Sequence, residues 1–420
     1  MKRILTLFIL VVLVGTSLCA QSELVKELHI NGLNKTRISF IKNRLKTKIE
    51  QPLDSTLIEN DLIRLKRLPS ISNATYEVNQ LENKGYKIQF YLEENHTLIP
   101  DINYWTTINT TAYKVGVYEY NLFGKNMTLG GFYQFNGHHT FALNFNAPYL
   151  ISNKFGLGFN FLNWNSEEPL YFENESVNFL YQNRSYEVVG SYELNFKNTV
   201  QLGLSFFNEK YVNQSAATVP DIPNQLDVNK QLVKFIYTHQ NLDYFYFYIS
   251  GFKSLFNGQL VTSKIKSQND FLIAWNDFLY YKRIGLHGNW AQRLRLGLST
   301  NNDSPFAAFA LDNNLNLRGV GNVVDRGTGS IVLNSEYRYT IFEKKSFVLQ
   351  GNGFIDAGTW RKPGKSLKNF ADTENIKIYT GLGIRMIHTK IFNAVFRIDY
   401  GYGLTKNSNQ GFVFGIGQYF

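Results

Sequence analysis

Among the side chains able to do chemistry, one arginine stands out by its setting. In "LNLRGVGNVVDRG" (residues 315–327), Arg318 sits between Leu317 and Gly319 in a glycine-rich loop whose flanks read as strand. An arginine exposed on such a loop needs nothing further. One withdrawn from water needs a carboxylate, because a buried unpaired charge is costly and a guanidinium pairs best through rigid bidentate contacts. The groups that would build an enzyme do not assemble in this way. The seven histidines, at 29, 96, 138, 139, 239, 287 and 388, form no recognisable motif with a serine, and the G-x-S-x-G, phosphate-loop, HExxH and calcium-loop patterns are missing. His138 and His139 are adjacent, so on a strand they face opposite ways and cannot share a metal. The sequence reads as non-enzymatic, with no metal and no cofactor.

Something must position Arg318, and the composition indicates what. The chain has 34 Phe and 26 Tyr, yet its mean hydropathy is only -0.23. That combination suits a membrane barrel, in which alternate residues face lipid and lumen. The net charge of +10 is scattered rather than clustered and is read as solvated loops, turns and lumen, not as a nucleic-acid surface. Lys2 and Arg3, the apolar run 4–14 and the small-residue exit 15–20 read as a secretory signal, too short for a spanning helix of about 20 residues. Cleavage after Ala20 would remove Cys19, the single cysteine, and Leu18 argues against lipid attachment there. The mature chain would then hold no thiol.

Residues 21–98 carry most of the helical periodicity and read as a small α+β domain. "VKELHI" (25–30) is a strand followed by the turn "NGLN". Thr36 is placed to cap a helix with Ile38, Ile41 and Leu45 on its apolar face, and Asp54 a second with Leu57, Ile58, Leu62 and Leu65. The strands 73–80 and 86–94 follow, joined through Asn83, Lys84 and Gly85.

Residues 99–420 read as a transmembrane antiparallel β-barrel. The alternation is clearest near the end: Ile378, Thr380, Leu382, Ile384 and Met386 would face lipid, with Tyr379, Gly381, Gly383 and Arg385 in the lumen. Ala394, Phe396, Ile398, Tyr400 and Tyr402 then alternate with Val395, Arg397, Asp399 and Gly401, and Phe412, Phe414, Ile416 and Phe420 with Val413, Gly415, Gly417 and Tyr419. At about 20 residues per strand and connection, the region holds about 16 strands, with 14 or 18 also fitting. Counting back from the end puts residues 301–328 in a long outer loop.

With these segments in order, the chain resembles the BamA/TamA outer-membrane assembly superfamily, which includes the two-partner secretion transporters. The resemblance rests on "INGL" and "YLEE" in a POTRA-like module, "EYNLFGKNMTLG" with "FNAPYL", "LRGV" (317–320), "NSEYRY" (334–339), "GFIDAGTW" (353–360) and "GIGQYF" (415–420). It covers nearly all of the mature chain. It implies that the arginine loop folds back into the barrel, with Arg318 on Asp356 of the inner wall, Phe354 packing on the loop, and Glu336 and Arg338 as neighbours on the adjacent strand. Gly319 and Gly321 would let the loop backbone turn and approach the wall. Val320 departs from the family, which usually has an aromatic after Arg-Gly.

The resemblance further implies a protein of the bacterial outer membrane, with its N-terminal domain in the periplasm, that helps insert other outer-membrane proteins. A client strand would be templated at a seam between the first barrel strand, near 115–121, and the last, 412–420. Gly411, Gly415 and Gly417 would weaken the closing strand, which ends on Phe420. The strand bearing Thr75, Tyr76, Glu77 and Val78 would offer a second edge to clients or partners. The implied partners are membrane lipid, unfolded outer-membrane proteins or a secreted polypeptide, and other subunits of an assembly machine. The alternatives are a two-partner secretion pore and a structural subunit that inserts nothing.

Overall fold

The computed structural model describes residues 24–82, 85–106, 111–172, 175–214, 224–263, 269–301, 308–311, 316–320 and 325–420. The secretory-signal segment, Asn83, Lys84 and Gly321 lie outside them. The N-terminal unit comprises β1 (Val25–Asn31), α1 (Ile38–Arg44), α2 (Ser55–Lys66), β2 (Ile71–Gln80) and β3 (Tyr86–Glu94). Its sheet has the order β1-β3-β2, with β1 parallel and β2 antiparallel to β3. Ile58, Leu62 and Leu65 recur at helical spacing on α2 and pack with Ile41 and Leu45 onto Ile88, Phe90 and Leu92 of the sheet.

Asp54 caps α2, its carboxylate accepting the Leu57 N–H at 3.1 Å. Thr36 does not cap α1. That helix starts after Arg37, with no side-chain cap. Glu94 explains the difference: it accepts the N–H groups of Asn34, Lys35 and Thr36 at 3.0, 2.9 and 2.7 Å and holds them as a loop, while the Thr36 hydroxyl accepts from Asn121 at 3.0 Å.

The second sheet has 16 antiparallel strands. Its first half is β4 (Leu98–Thr106), β5 (Thr111–Leu122), β6 (Met127–Phe135), β7 (His139–Ala147), β8 (Phe155–Phe172), β9 (Glu175–Asn195), β10 (Asn198–Asn213) and β11 (Gln225–Phe245). Then come β12 (Tyr248–Ser263), β13 (Phe271–Ile284) and β14 (Gly288–Ser299). A small hairpin of β15 (Phe309–Leu311) and β16 (Asp325–Gly327) lies inside the long loop. The large sheet resumes with β17 (Gly329–Lys344), β18 (Phe347–Arg361), β19 (Lys377–His388), β20 (Val395–Gly403) and β21 (Gln410–Ile416). Alternation sorts the side chains: on β17, Leu333, Tyr337, Tyr339 and Ile341 are exposed outside, while Asn334, Glu336 and Arg338 are buried inside.

Two expectations about the ends fail. The sheet begins with β4, so residues 115–121 belong to its second strand. β4 follows β3 almost at once, inside the expected barrel region, and Pro100 weakens its strand signal. The last strand stops at Ile416, and Phe420 turns inward instead of continuing the outward face: it packs with Leu242, Leu279, Tyr281 and Ala291 on the far wall. Gly417, with φ of 87°, makes that turn.

The N-terminal unit sits against the short turns at one mouth of the barrel. Arg44 donates to Glu193 at 2.6 Å and lies 3.7 Å from the Tyr149 ring centroid. Arg67 donates to the carbonyls of Phe196 and, at 3.0 Å, Gln240. The Ser70 N–H reaches Asn126 at 2.9 Å. The long loop between β14 and β17 starts at the opposite mouth.

Candidate functional site: the lumenal latch and the seam

β18 sends alternate residues inward, so Phe354, Asp356, Gly358 and Trp360 form one lumenal row. Residues 316–320 of the long loop lie buried against it. Leu317 is fully buried over Gly358, in a cluster with Leu311, Val320, Val332, Trp360 and Tyr379. Gly319, with φ of 96°, brings the loop against Gly401 of β20, where an added Cβ would stand 2.6 Å from the Gly401 oxygen. The close approach needs a glycine on each side, because a Cβ on Gly401 would collide with the Arg318 carbonyl.

Arg318 is fully buried. Its Nε and Nη2 donate to the two oxygens of Asp356 at 2.8 and 2.9 Å, and its backbone N–H donates to the same carboxylate at 3.0 Å. Nη1 donates to Glu336. The fork thus spans β17 and β18 together, which a lysine could not do. The Asn334 amide donates at 2.8 Å to both Asp356 and the Asn316 carbonyl, tying the loop backbone to the same point.

The ion pair belongs to a larger network. Glu336 also accepts from Arg338 at 2.5 Å and from Arg385 at 2.9 Å. Arg385 donates to Asp399 at 2.8 Å and to Asn352 at 2.9 Å, and Arg397 reaches Asp399 at 3.5 Å. Glu336 and Asp399 are therefore each shared between two or more arginines, which offsets the desolvation of buried charge. Sequence reasoning did not single out Asn334, Arg385, Asp399 or Tyr419 as site residues. Their signal was parity: Arg385 and Asp399 alternate onto the same lumenal face as Asp356.

The arginine is held between two rings. The Phe354 centroid lies 3.6 Å and the Tyr419 centroid 4.4 Å from its Cζ. Val320, where the family usually has an aromatic, joins the hydrophobic cluster with Leu317, Trp360 and Tyr379 instead. Tyr419 reaches the latch because the chain turns inward at Gly417, and the Phe420 carbonyl accepts from Arg338 at 3.3 Å.

The sheet runs from β21 at one end to β4 at the other, and among the described residues no ladder joins those two strands. The chain entering β4 is tied instead to the β19–β20 turn: the His96 N–H donates to the Lys390 carbonyl at 2.8 Å, and the Phe392 N–H to the His96 carbonyl at 3.0 Å. The three glycines of the closing segment differ. A Cβ on Gly411 would meet nothing within 4 Å, Gly415 lies under the Arg397 guanidinium, and Gly417 is the turn. Thr75, Tyr76, Glu77 and Val78 lie on β2, an edge of the small sheet, paired on their inner side with Tyr91, Phe90, Gln89 and Ile88.

A sheet of 16 strands, apolar outside and charged inside, has the pattern of a transmembrane β-barrel, with part of its long loop held within it. The Omp85 superfamily domain matches residues 121–420, and the chain belongs to that superfamily. The fold is similar to BamA from Haemophilus ducreyi lacking POTRA domains 1–3, at TM-score 0.55 and 14% identity over 93% of this chain and 83% of that one. CdiB from Acinetobacter baumannii gives 0.60 at 12% identity over 94% and 73%. CdiB from Escherichia coli gives 0.62 at 10% over 94% and 75%. The chain thus carries the barrel domain of the Omp85 superfamily, preceded by a small α+β unit.

Proposed function

We propose that this protein inserts other outer-membrane proteins by templating a client strand at the gap between β4 and β21. The observation that carries the reading is that no ladder joins those strands among the described residues, since an unpaired edge in hydrocarbon presents backbone groups that an incoming strand can satisfy. The N-terminal unit is a POTRA-like module in the periplasm, and Thr75, Tyr76, Glu77 and Val78 form an edge that receives clients or partner subunits by β-augmentation. Arg318, Asp356, Glu336 and Phe354 hold the long loop in the lumen as a fixed strut. The protein performs no bond chemistry.

Site-specific photocrosslinking in native membranes tests this. Photoreactive residues replacing Ile102 on β4 or Phe414 on β21 are expected to capture nascent barrel proteins, while one replacing Asn257, buried on the inner side of β12, is not. Capture of one secreted polypeptide at Asn257, with none at the seam, establishes a secretion pore instead. Capture of folded membrane proteins alone establishes a structural subunit.

A further inference from the structure

The outer face of the wall beside the seam carries a feature that neither latch nor seam uses. Outward positions on these strands are filled by large side chains, among them Leu333, Ile355, Leu382, Ile384 and Phe414. Gly351 and Gly353, consecutive outward positions on β18, carry none. The result is a groove of about 600 Å³ floored by the two glycines, walled by Tyr337 and Tyr339 on one side and Leu382 and Ile384 on the other, and reaching Phe412 of the closing strand.

The glycine at 353 is not demanded by packing. A Cβ there would meet only Leu382 Cδ2, at an ordinary 3.7 Å, and neither glycine has the left-handed backbone that excludes side chains. This separates Gly353 from Gly381 and Gly401, whose Cβ positions are already occupied. The wall could hold a side chain here and holds a hollow instead.

We infer that the groove binds one phospholipid acyl chain as an ordered occupant. The surface lies on the hydrocarbon-facing side of an outer-membrane barrel, where an unfilled hollow forfeits dispersion contacts and acyl chain is the medium at hand. The lining is aliphatic and aromatic, apart from the backbone of the floor and Asn352, whose side chain faces the lumen to donate to Asp399. At about 3.3 Å per residue, Gly351 and Gly353 stand about 13 and 20 Å along β18 from Phe347. With the strands tilted by about 45°, those lengths are about 9 and 14 Å of height in a hydrocarbon core about 30 Å thick, so the groove lies between the midplane and the side of the N-terminal unit. Because Phe412 closes one end, the bound chain packs directly on β21.

The test uses the intact protein in phosphatidylcholine nanodiscs doped with phosphatidylcholine carrying a diazirine on its acyl chain. After irradiation, peptides around Gly353 and Leu382 are expected to carry several-fold more lipid adduct than outward-facing peptides of β10 and β12. Gly353→Leu, which fills the floor, is expected to bring them down to the level of the rest of the barrel while leaving the other peptides unchanged. If that variant fails to give the heat-resistant folded form, Gly353→Ala carries the same comparison with a smaller loss. Uniform labelling around the barrel, or a groove signal that survives the filling substitution, overturns the inference. So does labelling of the groove peptides in wild type that falls below the level of the rest of the barrel.

Discussion

Tyr419 lies with its ring centroid 4.4 Å from the guanidinium carbon of Arg318, so a residue just beyond the closing strand touches the latch directly. The same ring lies 4.8 Å from Arg397, which covers Gly415 of that strand. Movement of β21 at the seam must therefore disturb the face of the latch arginine. Tyr419→Ala is expected to increase hydrogen exchange in residues 316–320, at a cost of about 0.5 to 2 kcal/mol for the lost cation–π contact. Tyr419→Phe, which keeps the ring, should stay close to wild type. Equal exchange in the alanine variant and wild type would show that tail and loop are uncoupled.

Arg318 and Asp356 should behave as one unit. Losing either leaves the other charge buried with fewer partners, so Arg318→Ala and Asp356→Ala should each destabilise the folded barrel by about 3–5 kcal/mol in urea titrations. The double variant should cost clearly less than the sum, because the second removal relieves the charge stranded by the first. Arg318→Lys should not rescue, since an ammonium cannot reach Asp356 and Glu336 together from one planar fork. Additive losses would mean that the contact is not shared.

These relationships differ in how far the sequence exposes them. Alternation places Arg385 and Asp399 in the lumen because strand parity is local, and it places Glu336 with Arg338 for the same reason. It cannot show that Arg385 bridges Glu336 and Asp399, since register between β17, β19 and β20 is fixed only by the folded sheet. The fate of Phe420 is illegible for a related reason: alternation predicts an outward ring, and only the turn at Gly417 reverses it. β4 lies within the barrel region expected from residue 99 but is not legible as its own strand, because Pro100 weakens the strand pattern.

Gly401 and Gly411 offer a direct contrast in how close the loop lies to the wall. A Cβ on Gly401 would collide with the Arg318 carbonyl, whereas one on Gly411 would meet nothing within 4 Å. Gly401→Ala should push the loop outward and cost about 1–3 kcal/mol, the usual range for overpacking. Gly411→Ala should leave the urea midpoint unchanged. A Gly401→Ala barrel as stable as wild type, with the loop equally protected from protease, would mean that the loop does not rest on β20.

Glu94 predicts a pH response in the N-terminal unit. Burial raises the pKa of its carboxyl, but the Thr36 hydroxyl and the N–H groups of Lys35, Thr36 and Asn34 outweigh that and hold it below its ordinary value of 4.5. A carboxylate held low in the folded state stabilises it above the ordinary value and loses that contribution as pH falls through the lower folded value. The loss therefore belongs below pH 4.5 and should be absent near neutrality. Its effect should reach the barrel, because the Thr36 hydroxyl that faces Glu94 also accepts from Asn121 of β5 at 3.0 Å. Acidification should speed amide exchange at Asn34, Lys35 and Thr36 and loosen the unit's hold on the barrel mouth, read as faster cleavage between β3 and β4 by an acid-active protease. Glu94→Gln should show loosened exchange already at neutral pH and flatten the response between pH 5 and 3, relative to the ordinary carboxylate range near 4.5. An acid response unchanged in Glu94→Gln would assign it to other carboxylates.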